Sequence, residues 1–236
     1  MCAGYAAYLI ALLFFAVLFW AFPAVAHNLS DSNADFVASV DGPAIALFLY
    51  LGAKHMVTGV DHVLYLFAVV FLLYQPRQVV KFVTLFALGH SVTLITGYWF
   101  SIQVNPGLVD AIIGLSVAYK AFENLGGFAG IQTYLPPMSL AVFGFGLIHG
   151  LGLATKLQSV YDGGNGLLAN LIAFNLGVEF GQLLALALLL GVLVLWRQRR
   201  SFVRWAPACN FALLVCGFSF AGYHWLGISL MGVDGL

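Results

Sequence analysis

The side chains able to do chemistry in this chain are few, and apolar residues surround each of them. In GAKHMVTGVDHVLYL, His55 and His62 stand seven residues apart, with Asp61 directly before the second imidazole. FALGHSVTLITG carries His90, FGFGLIHGLGLA carries His149, and AFNLGVEFGQLL carries Glu179 in an Asn175, Glu179, Gln182 spacing of i, i+4, i+7. An ionisable group inside hydrocarbon costs several kcal/mol unless it is paired or hydrated, so such residues mark function by default. Imidazole plus carboxylate without cysteine suits a borderline divalent cation, Ni²⁺, Co²⁺, Zn²⁺ or Cu²⁺; a calcium site would draw on oxygen alone.

The candidate metal ligands are therefore His55, Asp61, His62, His90, His149 and Glu179. On an unbroken helix His55 and His62 share one face and Asp61 points elsewhere. A distortion at Gly59 changes that: Asp61 then either orients an imidazole through its second ring nitrogen or binds the ion itself. His55 is placed at the outer entrance of the site. The competing explanation is a polar cluster that only packs helices together. Single interhelical hydrogen bonds contribute about 0.6–2 kcal/mol, too little to make so many ionisable groups a packing choice. Packing does account for Gly146 and Gly150, a G-x-x-x-G pair. His224, between Tyr223 and Trp225, reads as an interface anchor. Cys2, Cys209 and Cys216 share no metal-binding spacing.

The elements that must position these residues are membrane helices. Hydrophobic residues make up 62% of the 236, charged residues only 8%, and mean hydropathy is +0.99. That excludes a soluble enzyme and a disordered chain, and nine Lys+Arg against nine Asp+Glu leave no basic surface for nucleic acid. The pattern predicts an all-α, polytopic transmembrane helix bundle of about six spans after a cleaved signal peptide. Residues 1–26 form the signal, with an apolar run over 5–22 and an Ala24-Val25-Ala26 junction; residues 27–236 form one transmembrane domain. Spans are expected near 45–74, 79–100, 106–124, 137–157, 166–196 and 202–231. The first is overlong and holds Lys54, His55, Gly59, Asp61 and His62, which predicts a bent or interrupted helix. Counted from the span ends, Asp61, His90, His149 and Glu179 share a depth near mid-membrane. Arg77, Lys81, Lys120 and the group Arg197, Arg199, Arg200, Arg204 fall on one side, read as cytoplasmic, with both mature termini on the other. Lys54 and Lys156 break that rule.

These residues carry a family resemblance. His55-x5-Asp61-His62 inside one span, the Gly89-His90-Ser91 and His149-Gly150 segments, and the six-span plan after an Ala-His junction resemble the HupE/UreJ family of bacterial membrane proteins. The hydrogenase-linked branch of that family has a second motif of two His and a Glu in its fourth span; here the region reads GLIHGLGLA with His149 alone, so the resemblance is to a divergent branch. It implies a multi-pass protein of the bacterial inner membrane, a permease for nickel or cobalt, and partnership with metalloenzyme-maturation proteins or other membrane subunits. Besides a divalent-metal permease, two alternatives stay open: an intramembrane zinc-dependent hydrolase, and a non-catalytic membrane partner such as a bis-His haem holder built on two of His62, His90 and His149.

Overall fold

Each apolar run becomes a helix, and proline or glycine sets most of the boundaries. The computed structural model describes residues 42–159, 161 and 165–233. The expected signal peptide and its junction lie outside them. The helices are α1 (Ile45–Thr58), α2 (Val60–Val70), α3 (Pro76–Trp99), α4 (Pro106–Asn124), α5 (Met138–Gln158), α6 (Leu167–Arg197) and α7 (Arg200–Val233), with a short 3-10 turn at Gln132–Tyr134. No strand occurs among the described residues. Pro76 and Pro106 open α3 and α4, where a missing N–H costs nothing. Asn105 caps α4 by accepting from the Leu108 amide at 3.2 Å.

Four helices, α3, α5, α6 and α7, are long and apolar enough to cross a membrane. The expected first span is two helices. Gly59 is extended (φ −69°, ψ 100°) and separates α1 from α2, although its N–H still donates to His55 O at 2.9 Å. At 1.5 Å per residue α1 rises ~21 Å and α2 ~16 Å; neither crosses ~30 Å of hydrocarbon alone.

Packing pairs helices distant in sequence: α3 with α5, α1 with α6, and α4 with α7. Small residues make the close approaches. A Cβ on Gly89 would lie 2.5 Å from Phe143 O, one on Gly181 2.6 Å from Ala53 O, and one on Gly217 2.6 Å from the Ala118 amide. The expected Gly146–Gly150 pair meets Phe86 O and His90 O in the same way. Helix α2 sits among these pairs, with every residue from Leu64 to Val70 buried.

The polarity is inverted relative to a soluble protein. Leu183, Leu188, Val192 and Leu195 of α6 are exposed, whereas Asp61, His62, His90, His149 and Gln182 are buried. An apolar exterior around a polar interior is what a bilayer selects. The chain is a membrane protein.

Candidate metal centre

The break at Gly59 builds the site. It ends α1 with His55 in its last turn and starts α2 with Asp61 and His62 in its first. His55 and His62 face one another across the break, ring centroids 4.8 Å apart. Asp61 Oδ2 lies 3.1 Å from His62 Nδ1 and both side chains are 2% exposed. The carboxylate thus reaches the imidazole next to it in sequence, within the first turn of α2. Gly59 makes the room: a Cβ there would stand 2.9 Å from His62 Nδ1 and 3.2 Å from Asp61 Oδ1.

Helix α3 supplies His90, which is fully buried. Neither of its ring nitrogens has a hydrogen-bond partner among the described residues. A buried imidazole normally satisfies at least one nitrogen, so an unmatched pair needs an explanation. One ring nitrogen each from His55, His62 and His90 lie within 4.8 Å of one another. Three imidazoles around one ion at about 2.1 Å stand ~3.4 Å apart in tetrahedral geometry, so small ring movements would close the set. The Asp61 carboxylate stands against the Nδ1 edge of the His62 ring.

His149 of α5 packs beside these three, against His62. Its Nδ1 lies 2.6 Å from Phe145 O, which fixes the ring through the backbone one turn earlier. Its centroid is 5.2 Å from that of His62, and His90 is 6.1 Å from the same ring. Phe86, 4.9 Å from His149, and Tyr65, 5.6 Å from it, wall the cluster. Sequence reasoning missed both walls. The signal was present for Tyr65, which lies three residues after His62 and therefore on the same helix face.

Two expectations need correction. Glu179 does not join the cluster; it lies on the exposed flank of α6 with Ile172, Leu176, Phe180 and Leu183. Helix α6 turns the face bearing Gly177 and Gly181 toward α1, because only there can the two backbones meet. That rotation carries Glu179 outward while Asn175 and Gln182 stay buried, the latter donating to Val83 O at 3.1 Å. His224 is not a plain interface anchor. Its Nδ1 lies 3.6 Å from Asp110 Oδ2, and the same carboxylate receives Lys156 Nζ at 3.1 Å on both oxygens. Lys156, which broke the charge rule, is therefore neutralised inside the bundle.

No curated protein matches the chain, and no solved structure matches it. The family model described as HupE / UreJ protein matches residues 31–226, a stretch that contains the Gly59 break, all four clustered histidines and every helix through most of α7. With most of its length so matched, the chain belongs to the HupE/UreJ family.

Proposed function

We propose that this protein is a permease that moves a divalent transition-metal ion, nickel or cobalt, across the bacterial inner membrane through the His55, His62, His90 cluster. The observation that carries this reading is the convergence of three ring nitrogens within 4.8 Å at a helix break, one of them from the fully buried and unmatched His90. Family membership supports it. Imidazole donors fit Ni²⁺ and Co²⁺, and a discontinuous helix at mid-depth is a common way for transporters to present an ion site. Asp61, 3.1 Å from Nδ1 of His62, adds a negative charge beside the incoming cation and the ring that would bind it. It also sits at the positive N-terminal end of α2, offsetting a dipole that would otherwise repel the ion.

The two alternatives fit less well. A haem between two imidazoles needs the rings on opposite sides of a flat plate, whereas His62 packs directly against His55, His90 and His149 with ring centroids 4.8, 6.1 and 5.2 Å apart. A zinc hydrolase needs a carboxylate that activates water, and Asp61 is engaged by His62.

The test is Co²⁺ titration of the purified full chain, followed by its visible absorption, with uptake into vesicles. His62→Ala and His90→Ala should each abolish binding and uptake while the protein remains folded in the membrane. Binding and uptake equal to the parent in both variants would place the site elsewhere.

A further inference from the structure

The polar stripe Asn175, Glu179, Gln182 on α6 splits in the fold. Glu179 turns outward, while the two amides stay inside, Asn175 7% and Gln182 1% exposed. Each amide nitrogen donates to a carbonyl. Asn175 Nδ2 reaches Leu171 O at 3.1 Å, one turn back on α6, and Gln182 Nε2 reaches Val83 O of α3 at 3.1 Å. Only the nitrogen end of an amide can donate, so these bonds fix which end is which. They leave Asn175 Oδ1 and Gln182 Oε1 buried with no hydrogen-bond partner among the described residues. Packing explains the two nitrogens. It does not explain two acceptor oxygens stranded in an apolar bundle, where leucine would strand none.

His90 is stranded in the same way, and Asn175 lies at its level. Arg197, at the end of α6, bonds Leu73 O just ahead of α3, so α3 runs back along α6 from a common end. The Gln182–Val83 bond sets the register between them. Seven residues outward on each helix, ~10.5 Å, stand Asn175 and His90. A step of seven also returns each residue to the face it left, so both sit on the faces that meet at Gln182 and Val83. A second contact agrees: the ring of Phe174, next to Asn175, lies 6.1 Å from that of His55.

We infer, on the permease reading above, that these two amide oxygens are the oxygen acceptors along the ion's route. Asn175 Oδ1 accepts from a water that stays on the ion at the histidines, and Gln182 Oε1 takes up the same hydrated ion two turns nearer the inner end. Three imidazoles leave one position of a four-coordinate ion open, and water fills it. A neutral amide orients that water without taking its proton or adding charge, so the ion remains free to leave. A carboxylate in the same place would detain the cation. Neutral oxygens in succession give the weak, multi-site binding that conduction requires.

The experiment compares the parent with His62→Ala, Asn175→Leu, Asn175→Asp, Gln182→Leu and Gln182→Glu, each as the full chain. Co²⁺ affinity and stoichiometry are measured by equilibrium dialysis, together with the visible spectrum of the bound ion, initial uptake into vesicles and the thermal midpoint in detergent. Asn175→Leu should weaken binding roughly 10–100-fold and alter the spectrum without lowering the midpoint. Asn175→Asp puts a charge beside the ion, so it should tighten binding at least about tenfold and slow uptake. Gln182→Leu should keep affinity within about twofold and lower uptake at least about tenfold. Gln182→Glu should detain a second Co²⁺ where the parent holds one. If a leucine variant does not fold, the carboxylate variant at the same position decides alone. Parent-like affinity in Asn175→Leu or Asn175→Asp, parent-like uptake in Gln182→Leu, or a single bound ion in Gln182→Glu overturns the amide route and leaves the histidine site standing. A parent that binds no Co²⁺, or a His62→Ala variant that binds it normally, overturns the histidine site and the amide route together.

Discussion

Gly59 is the residue on which the site depends, and it depends on what glycine lacks. Its backbone angles are open to any L-residue, so alanine there meets no conformational penalty. The added methyl would instead press on the His55 carbonyl at 2.8 Å, on His62 Nδ1 at 2.9 Å and on Asp61 Oδ1 at 3.2 Å, so it disturbs both the end of α1 and the site. Gly59→Ala should leave the helices intact by circular dichroism and weaken Co²⁺ binding by roughly 10–100-fold, the range for disturbing a ligand's orienting partner. Parent-like affinity would show that the Asp61–His62 contact does not tune the ion site. The contrasting residue is Glu179. Because it faces outward from α6, Glu179→Gln should change Co²⁺ affinity by less than about twofold; a larger loss in the same titration would mean that α6 is rotated in the working protein. These residues also mark what sequence shows and what it hides. The four histidines and Asp61 stood out because each costs energy in an apolar run. Glu179 stood out for the same reason, and its exclusion came from the azimuth of α6, which is set by where Gly177 and Gly181 meet α1.

Helix α2 is held at its far end chiefly by Arg197, with Asn124 beside it. Its last carbonyls, and those of the turn beyond, have no intrahelical N–H to accept from. Arg197 at the end of α6 donates to Phe71 O at 2.8 Å, to Leu73 O at 2.9 Å and also to Val70 O, and it stacks on Tyr74 at 4.7 Å. Asn124 adds a bond to Ala68 O at 2.8 Å. Arg197→Ala should destabilise the protein by about 1–3 kcal/mol, the cost of stranding buried acceptors, read as a lowered thermal midpoint in detergent. Arg197→Lys should recover only part of it, because an ammonium cannot span three carbonyls as a guanidinium does. Helix limits were legible to within a few residues, since apolar runs bounded by Pro and Gly leave little choice. The interruption was legible too, from Lys54 through His62 in an overlong span. Helix pairing was not: α1 meets α6 and α4 meets α7 through backbone surfaces that one-dimensional periodicity cannot assign to partners.

At the scale of the molecule, the charge pattern supports one orientation. Arg77, Lys81, Lys120 and Arg197 lie toward one end, and the exceptional Lys156 is offset by Asp110. A reporter fused after Leu236 should be active only on the periplasmic side; cytoplasmic activity would reverse the orientation. The Gly59 break has an electrical consequence. In the proposed permease, with α1 starting at the outer face, an ion reaches the cluster after the ~21 Å rise of α1, and the ~16 Å rise of α2 lies beyond it. On that reading it has then crossed somewhat more than half of the membrane field. One elementary charge falling through 100 mV gains about 2.3 kcal/mol, so a divalent ion at that depth gains about 2.6. In vesicles clamped by potassium diffusion potentials, apparent Co²⁺ affinity should rise roughly 80-fold per 100 mV, inside negative. The membrane potential would then load the cluster before any transport cycle begins, and a cell that loses its potential would lose its grip on the metal even with every histidine in place.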